Sequence, residues 1–323
     1  MKRRAASILF ITGGTALIIL ALVLRFVVVP AIKVLPSDLN VVRTYEGTLV
    51  TMLDPATFDF YRDVPIRIER IVHTEKVEGD RALVVELADL RREDDGTLLQ
   101  SRETRYALDR RTLLPIDGFG ADWHRAGLTI NFPIGTKKRD YEGWNEDAQQ
   151  TATARFVGEE PRGGLDTYVF RTQTGPDPIR DPFLLALLPT EIDKATLTAL
   201  LDQISLTELQ RTLADETLPR LPDPVPLNYV YISDLTLWVE PTTGMAIDLV
   251  KHEERLVALG PLPVAAIFEM DWRHTPETVA EIAAETKPLI AQVRWFEKIL
   301  PLLAGVGGGL LVGVGLIRLT KQR

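Results

Sequence analysis

The chain is 323 residues long and 46% hydrophobic, with 37 Lys and Arg against 45 Asp and Glu and no cysteine. A formal charge of −8 argues against a nucleic-acid partner. Without thiols, Cys-ligated zinc, thiolate catalysis and disulfide bracing are excluded, so an exported domain must be held by its core alone.

Lys2, Arg3 and Arg4 lie in a short basic tail, residues 1–4, and Ala5 to Leu24 then carry no charge. About 20 residues at about 1.5 Å each cross a bilayer core of about 30 Å, so the pattern predicts a transmembrane helix over 5–29. A cleaved signal peptide is the alternative, but the apolar run is long for one and no small-x-small site closes it.

After Pro36 the pattern changes to short β-branched and aromatic segments divided by turn residues, which predicts a β-rich domain over 33–275. Ile66 to Val72, Ala82 to Leu87 and Arg105 to Leu108 read as strands, with Asp94-Asp95-Gly96 as a hairpin turn. A weak repeat is visible at an offset of 131: Tyr106 to Asp117 aligns with Leu237 to Asp248. Each is a strand, an acidic turn (Asp109, Glu240) ending in Thr, and a second strand. Glu78-Gly79 before Ala82 likewise resembles Gly163-Gly164 before Thr167, so one hairpin unit is expected twice, neither copy able to bury its apolar face alone.

The second copy carries an insertion over about 176–226. Phe183, Leu184, Leu187 and Leu188 make its start apolar, and Leu197, Leu200, Leu201 and Ile204 have helical spacing. Ser205 to Glu208 fits a capping box. Leu218 to Pro226, with its prolines, is expected to be extended. Structurally the insertion is a helical layer on the sheet. Functionally, Phe183, Leu184, Leu187, Leu188, Leu197 and Leu201 would form an apolar lid over a concave surface.

Thr275-Pro276-Glu277 starts a helix in which Val279, Ile282, Ala283, Thr286, Ile290 and Val293 share one face. It reads as an amphipathic stalk over 276–298, with Pro288 as a kink point and Trp295 and Lys298 as interfacial anchors. A second uncharged span, 299–317, precedes a basic tail, 318–323, containing Arg318, Lys321 and Arg323. Gly305, Gly309 and Gly313 recur every four residues and offer a face for close helix packing, either against Thr12, Gly13 and Ala16 of the first span or against another copy.

Every acidic residue lies between Asp38 and Glu297. Without the six basic residues of the tails, 31 Lys and Arg face 45 Asp and Glu, a charge of −14. Basic flanks hold both ends in the cytoplasm. The expectation is a plasma-membrane protein in which two terminal transmembrane helices flank an α+β, mainly antiparallel-β extracytoplasmic domain with a helical insertion.

No Gly-x-Ser-x-Gly elbow, phosphate-binding loop or His-Glu-x-x-His helix occurs, and His73, His124, His252 and His274 are scattered. Glu253 and Glu254 are adjacent, so in a strand they face opposite ways. No catalytic, metal or cofactor set emerges, and a non-enzymatic protein is expected. The most distinctive segment is Phe132 to Asn145, where Lys137, Lys138 and Arg139 form the densest basic cluster, beside Tyr141 and Trp144. It reads as a solvated loop with its aromatics anchored in the core, or more sharply as a contact for an anionic lipid headgroup or envelope polymer.

The terminal spans, Phe132-Pro-x-Gly-Thr-Lys with Tyr141 and Trp144-Asn, Ala154 to Glu160 with Tyr168-Val-Phe, and Leu237 to Gly244 together resemble the bacterial PorA family of two-span envelope proteins. The resemblance covers most of the chain and its label implies a porin, without catalytic residues. Porins cross as closed barrels with lipid-facing strands, whereas the spans here are helical with uncharged cores. Val157-Gly-Glu-Glu with Gly164 and Tyr168-Val-Phe also resembles units of periplasmic lipoprotein carriers and lipid-binding lipoproteins. That resemblance implies a curved antiparallel sheet closed by helices around an apolar cavity. The expected function is binding of a lipid or other apolar ligand by a domain tethered to membrane lipid. The alternatives are an assembly protein with an envelope partner or homo-oligomer, and an oligomeric channel subunit.

Overall fold

Alternation of apolar and charged side chains builds a long-stranded sheet. The computed structural model describes residues 2–54, 57–203, 206–259 and 262–321. The expectations at Met1, Ile204, Ser205 and Arg323 lie outside them. The chain divides into two compact units, Met1–Leu35 with Ala284–Arg323, and Pro36–Ala283.

The second unit contains strands β1 (Asn40–Leu53), β2 (Phe60–Glu78), β3 (Arg81–Arg92), β4 (Leu98–Asp109), β5 (Tyr141–Asn145), β6 (Gln150–Arg162) and β7 (Leu165–Pro178). After two short strands in the insertion, β8 (Glu191–Ile192) and β9 (Val225–Pro226), come β10 (Asn228–Val239), β11 (Ala246–Leu259) and β12 (Leu262–His274). Ten of these form one sheet in the order β4-β3-β2-β1-β12-β11-β10-β7-β6-β5, all neighbours antiparallel. Strands spaced about 4.8 Å apart would put the edges of a flat ten-stranded sheet roughly 43 Å apart. Instead Arg102 on edge strand β4 lies 3.3 Å from Glu146, which follows edge strand β5. The sheet is therefore curled into a half-barrel whose edges meet through side chains. Residues 110–140 run along this seam, where Leu128 and Gly143 form a parallel bridge.

The hairpin repeat is present in the structure. The β2–β3 hairpin matches β6–β7, and β3·β4 pairing matches β7·β10. At the next turn Asp109 Oδ1 accepts from Thr112 N and Oγ1 at 2.8 and 3.0 Å, while Glu240 Oε2 accepts from Thr243 N and Oγ1 at 2.8 and 2.7 Å. Between β3 and β4 the first copy has the Asp94-Asp95-Gly96 turn, with Gly96 at φ +73°. The second copy has the insertion at that point.

In the insertion, α3 (Pro182–Leu187), α4 (Lys194–Gln203) and α5 (Glu208–Thr217) cover one end of the concave face. Asp181 caps α3 by accepting from Phe183 N. Leu218–Arg220 forms a 3-10 turn, which corrects the expectation of extended chain there, since the fixed φ of proline also suits the first turn of a helix. Helix α6 (Pro276–Arg294) is capped by Thr275, whose Oγ1 accepts from Thr278 N at 3.1 Å, and Val279, Ile282 and Ala283 pack on Ile247 of β11.

In the other unit, α1 (Lys2–Val23), a π-helical turn (Leu24–Val28) and α2 (Val29–Ile32) precede the sheet. A π-helical turn at Trp295–Ile299 leads from α6 into α7 (Leu300–Thr320). Ala5–Ala31 and Pro276–Thr320 are two helices long and apolar enough to cross a membrane. Ser7, Gly14 and Ala21 are buried at seven-residue intervals, as are Gly308 and Gly315. A Cβ on Gly315 would lie 3.0 Å from Ser7 O. The contact between α1 and α7 thus uses Gly308 and Gly315. Of the expected face, Gly305 reaches only to 4.0 Å from Ala21, and Gly309 and Gly313 meet nothing within 4 Å. Thr12 and Ala16 are exposed. Within one chain the expected face is thus corrected, for a physical reason: two helices that stay in register along their length meet on a seven-residue repeat, and a four-residue spacing drifts off that seam.

Candidate functional site

Strand β11 shows how the half-barrel interior is made. Lys251, Glu253, Arg255 and Val257 alternate onto its concave face, while His252 and Glu254 point outward and bond to each other at 3.0 Å. Inside, Lys251 Nζ and Tyr231 Oη donate to Glu253 at 2.9 and 2.8 Å, and Trp272 Nε1 donates at 2.9 Å. Burial alone would raise the Glu253 pKa, but the charges of Lys251 and Arg255 outweigh it and hold the carboxyl down at about 2. The same carboxylate raises Lys251 against the opposing pull of burial. Arg255 Nε donates to Asp147 at 2.7 Å, with its guanidinium over the Phe268 ring at 4.2 Å.

Beyond Arg255 the interior turns apolar. A cavity of about 260 Å³ lies between the insertion and the sheet, walled by Phe58, Phe60, Leu184, Leu197, Leu200, Leu201, Tyr229, Val257 and Ile267. Of the proposed lid residues, Leu184, Leu187, Leu188, Leu197 and Leu201 line this cavity. Phe183 flanks the same cluster and lies under the Arg102 guanidinium at 5.1 Å.

On the seam side a second cavity, of about 240 Å³, is polar and is walled by Arg70, Glu86, Arg102, Tyr106, Arg125, Thr129, Trp144 and Glu146. Glu146 accepts five hydrogen bonds, from Arg102, Trp123, Trp144 and two nitrogens of Arg125. Arg102 also donates to Asp181 at 2.6 Å; burial still holds the Asp181 carboxyl above its ordinary range despite that cation. A third cavity, of about 400 Å³, shares Arg70, Thr129, Trp144 and Glu146 with the polar one and extends to Tyr45, Lys251 and His274.

The basic-aromatic segment is split by the fold. Lys137, Lys138 and Arg139 are exposed on a turn. Lys138 pairs with Glu159 at 2.6 Å, and Arg139 lies over the Tyr141 ring at 5.0 Å. Tyr141 is buried with Phe132 and Phe170, and its hydroxyl accepts from Lys137 N at 2.8 Å. Trp144 instead lines the interior and donates to Glu146 at 2.6 Å. The five residues do not converge on one surface. Sequence reasoning missed the charged belt of Arg70, Glu86, Arg102, Glu146, Lys251 and Glu253. Lys251 to Arg255 is charged at both parities of the strand, so no alternation marked which charges turn inward. Among the described residues no group of three or more His, Asp or Glu is placed to hold a metal ion.

A family model described as Porin PorA matches residues 6–317. The chain belongs to the Porin PorA family. The chain is 23% identical over 318 residues to a protein named Porin PorA from Corynebacterium resistens, covering 77% of this chain and 76% of that one. It is 24% identical over 303 residues to a Porin PorA from Corynebacterium amycolatum, with the same coverage. Among solved structures, one named as a thioesterase from Novosphingobium aromaticivorans matches at 12% identity and a TM-score of 0.12, covering 73% of this chain and 78% of that one. Aeromonas veronii immune modulator A matches at 9% and 0.14, covering 76% and 99%. Neither structural likeness bears on the fold or the function of this PorA-family chain.

Proposed function

We propose that this chain is a non-enzymatic envelope protein, anchored by its two apolar helices with both termini cytoplasmic, whose half-barrel binds an apolar ligand such as a lipid acyl chain. The observation that carries the reading is the 260 Å³ apolar cavity under the insertion helices. An apolar cavity of about 150 Å³ already stays dry and takes benzene, so this one has room for a ring or a short stretch of acyl chain. Basic tails beside both helices, and acids confined between Asp38 and Glu297, support the orientation.

The porin reading, which rests on the relatives' names, gains less from the geometry. A lipid-facing barrel presents an apolar band about 25 Å tall, whereas the convex face here exposes Arg67, Glu69, Glu103, Arg105 and Arg171.

The test is photo-crosslinking of the full chain in nanodiscs that carry a trace of phospholipid with an alkyl diazirine in its acyl chain. Adducts on Leu197, Leu201 or Val257 are expected, and Leu197→Trp should remove them by filling the space. Adducts confined to 5–31 and 300–317 would refute ligand binding by the half-barrel.

A further inference from the structure

The polar cavity on the seam is not accounted for by an apolar ligand. Three buried polar atoms have no hydrogen-bond partner although they belong to residues in its wall: Arg70 Nε, Arg102 Nε and Thr129 Oγ1. Neighbouring carboxylates are already engaged. Glu146 receives five donors, and Glu86 receives Arg70 Nη2 at 2.6 Å and Tyr106 Oη at 3.4 Å. A buried donor without an acceptor is unfavourable, and one on a guanidinium is satisfied best by a charged or strongly polar oxygen. The wall therefore offers donors in excess, and what it lacks is acceptor oxygens.

This cavity and the apolar one adjoin along β4. Gln100 lines the apolar cavity, and Arg102 and Thr104 line the polar one. At about 3.3 Å per residue the polar wall begins roughly 7 Å further along the same strand. Arg102 stands at the junction, with Phe183 under its guanidinium and Asp181 on its Nη1. The two walls are thus consecutive along one strand.

We infer that the half-barrel is a site for an amphiphile, with Arg70, Arg102 and Thr129 binding the acceptor oxygens of its head, a phosphate or a carboxylate. This rests on the apolar-ligand reading and adds the headgroup class to it. An ammonium head, the form an alkylamine takes near neutral pH, offers only donors and is the wrong complement to this wall.

The test uses the full chain in a non-ionic detergent and four soluble probes: hexyl phosphate, hexanol, hexylamine and inorganic phosphate, with affinities read by calorimetry. Thr129→Val is the informative variant, because Thr129 Oγ1 makes no hydrogen bond within the fold, so a merely structural role would leave binding unchanged. Arg102→Lys keeps the charge facing Asp181 and Glu146 while removing Nε. Hexyl phosphate should bind most tightly and hexylamine most weakly. Thr129→Val should weaken hexyl phosphate about threefold to tenfold, the loss of one hydrogen bond, and leave hexanol unchanged. Equal binding of hexyl phosphate and hexanol, both indifferent to Thr129→Val, would overturn the headgroup site and leave the apolar reading standing. Inorganic phosphate binding as tightly as hexyl phosphate, with no binding of hexanol, would overturn the link to the apolar cavity and the apolar reading with it.

Discussion

Gly14 and Gly308 meet backbone to backbone: a Cβ on Gly14 would lie 2.5 Å from Gly308 O, and one on Gly308 would lie 2.6 Å from Gly14 O. The close approach is reciprocal, so either position tolerates only glycine. Cysteines replacing Ala21 and Gly305, where a Cβ on Gly305 would lie 4.0 Å from that of Ala21, should form a disulfide within one chain on oxidation. Gly14→Leu should lower that yield at least severalfold, whereas Gly13→Leu should not, because Gly13 meets nothing within 4 Å. Gel mobility under non-reducing conditions reads the result.

The aromatic cluster beneath the basic turn should carry stability that the turn itself does not. Phe170 is fully buried between Phe132, Tyr141 and Phe156. Phe170→Ala should cost about 3–5 kcal/mol. Lys138→Ala breaks an ion pair exposed on both sides and should leave stability almost unchanged. Denaturant unfolding of the full chain in detergent separates the two.

Acid should loosen the interior through Glu253. Its pKa in the fold, about 2, lies below the ordinary 4.5, so the stabilisation is complete above pH 4.5 and is lost as pH falls from there toward 2. The loss follows from proton uptake by the unfolded chain across that window. Glu253→Gln should flatten the thermal-melting profile across that window and lower stability at pH 7, where Lys251 is left buried without its partner.

Gly244 occupies a turn that no larger residue fits. Its φ is +77°, and an added Cβ would lie 2.1 Å from Phe132 O. Gly96 has a similar φ of +73° with open space around it. Gly244→Ala should therefore destabilise by more than the roughly 1 kcal/mol expected for Gly96→Ala, the excess reporting contact with the 110–140 segment. Urea unfolding of both variants decides it.

What could be read in advance follows from how locally each feature is encoded. The turn at Asp109 and its counterpart at Glu240 were legible because an acid three residues before a threonine satisfies its own backbone. The apolar face of α4, Leu197, Leu200 and Leu201, was legible from spacing alone. The strands themselves were seen only in their β-branched middles. In β2 the outward Arg67 and Glu69 adjoin the inward Arg70, and no local signal separates a charge facing water from one facing a carboxylate across the barrel. Arg102 meets Glu146 and Asp181, 44 and 79 residues away, a relationship created only when the sheet curls.

The insertion stands where the first copy of the repeat makes do with a five-residue connection, so the cover of the apolar cavity is a graft on a hairpin the sheet can close without. Cover and walls can then be inherited separately. Residues 179–226 can be varied while the ten strands and the charged belt stay as they are. Exchange of this segment between family members should move ligand preference with the segment and leave the scaffold's own stability to the strands.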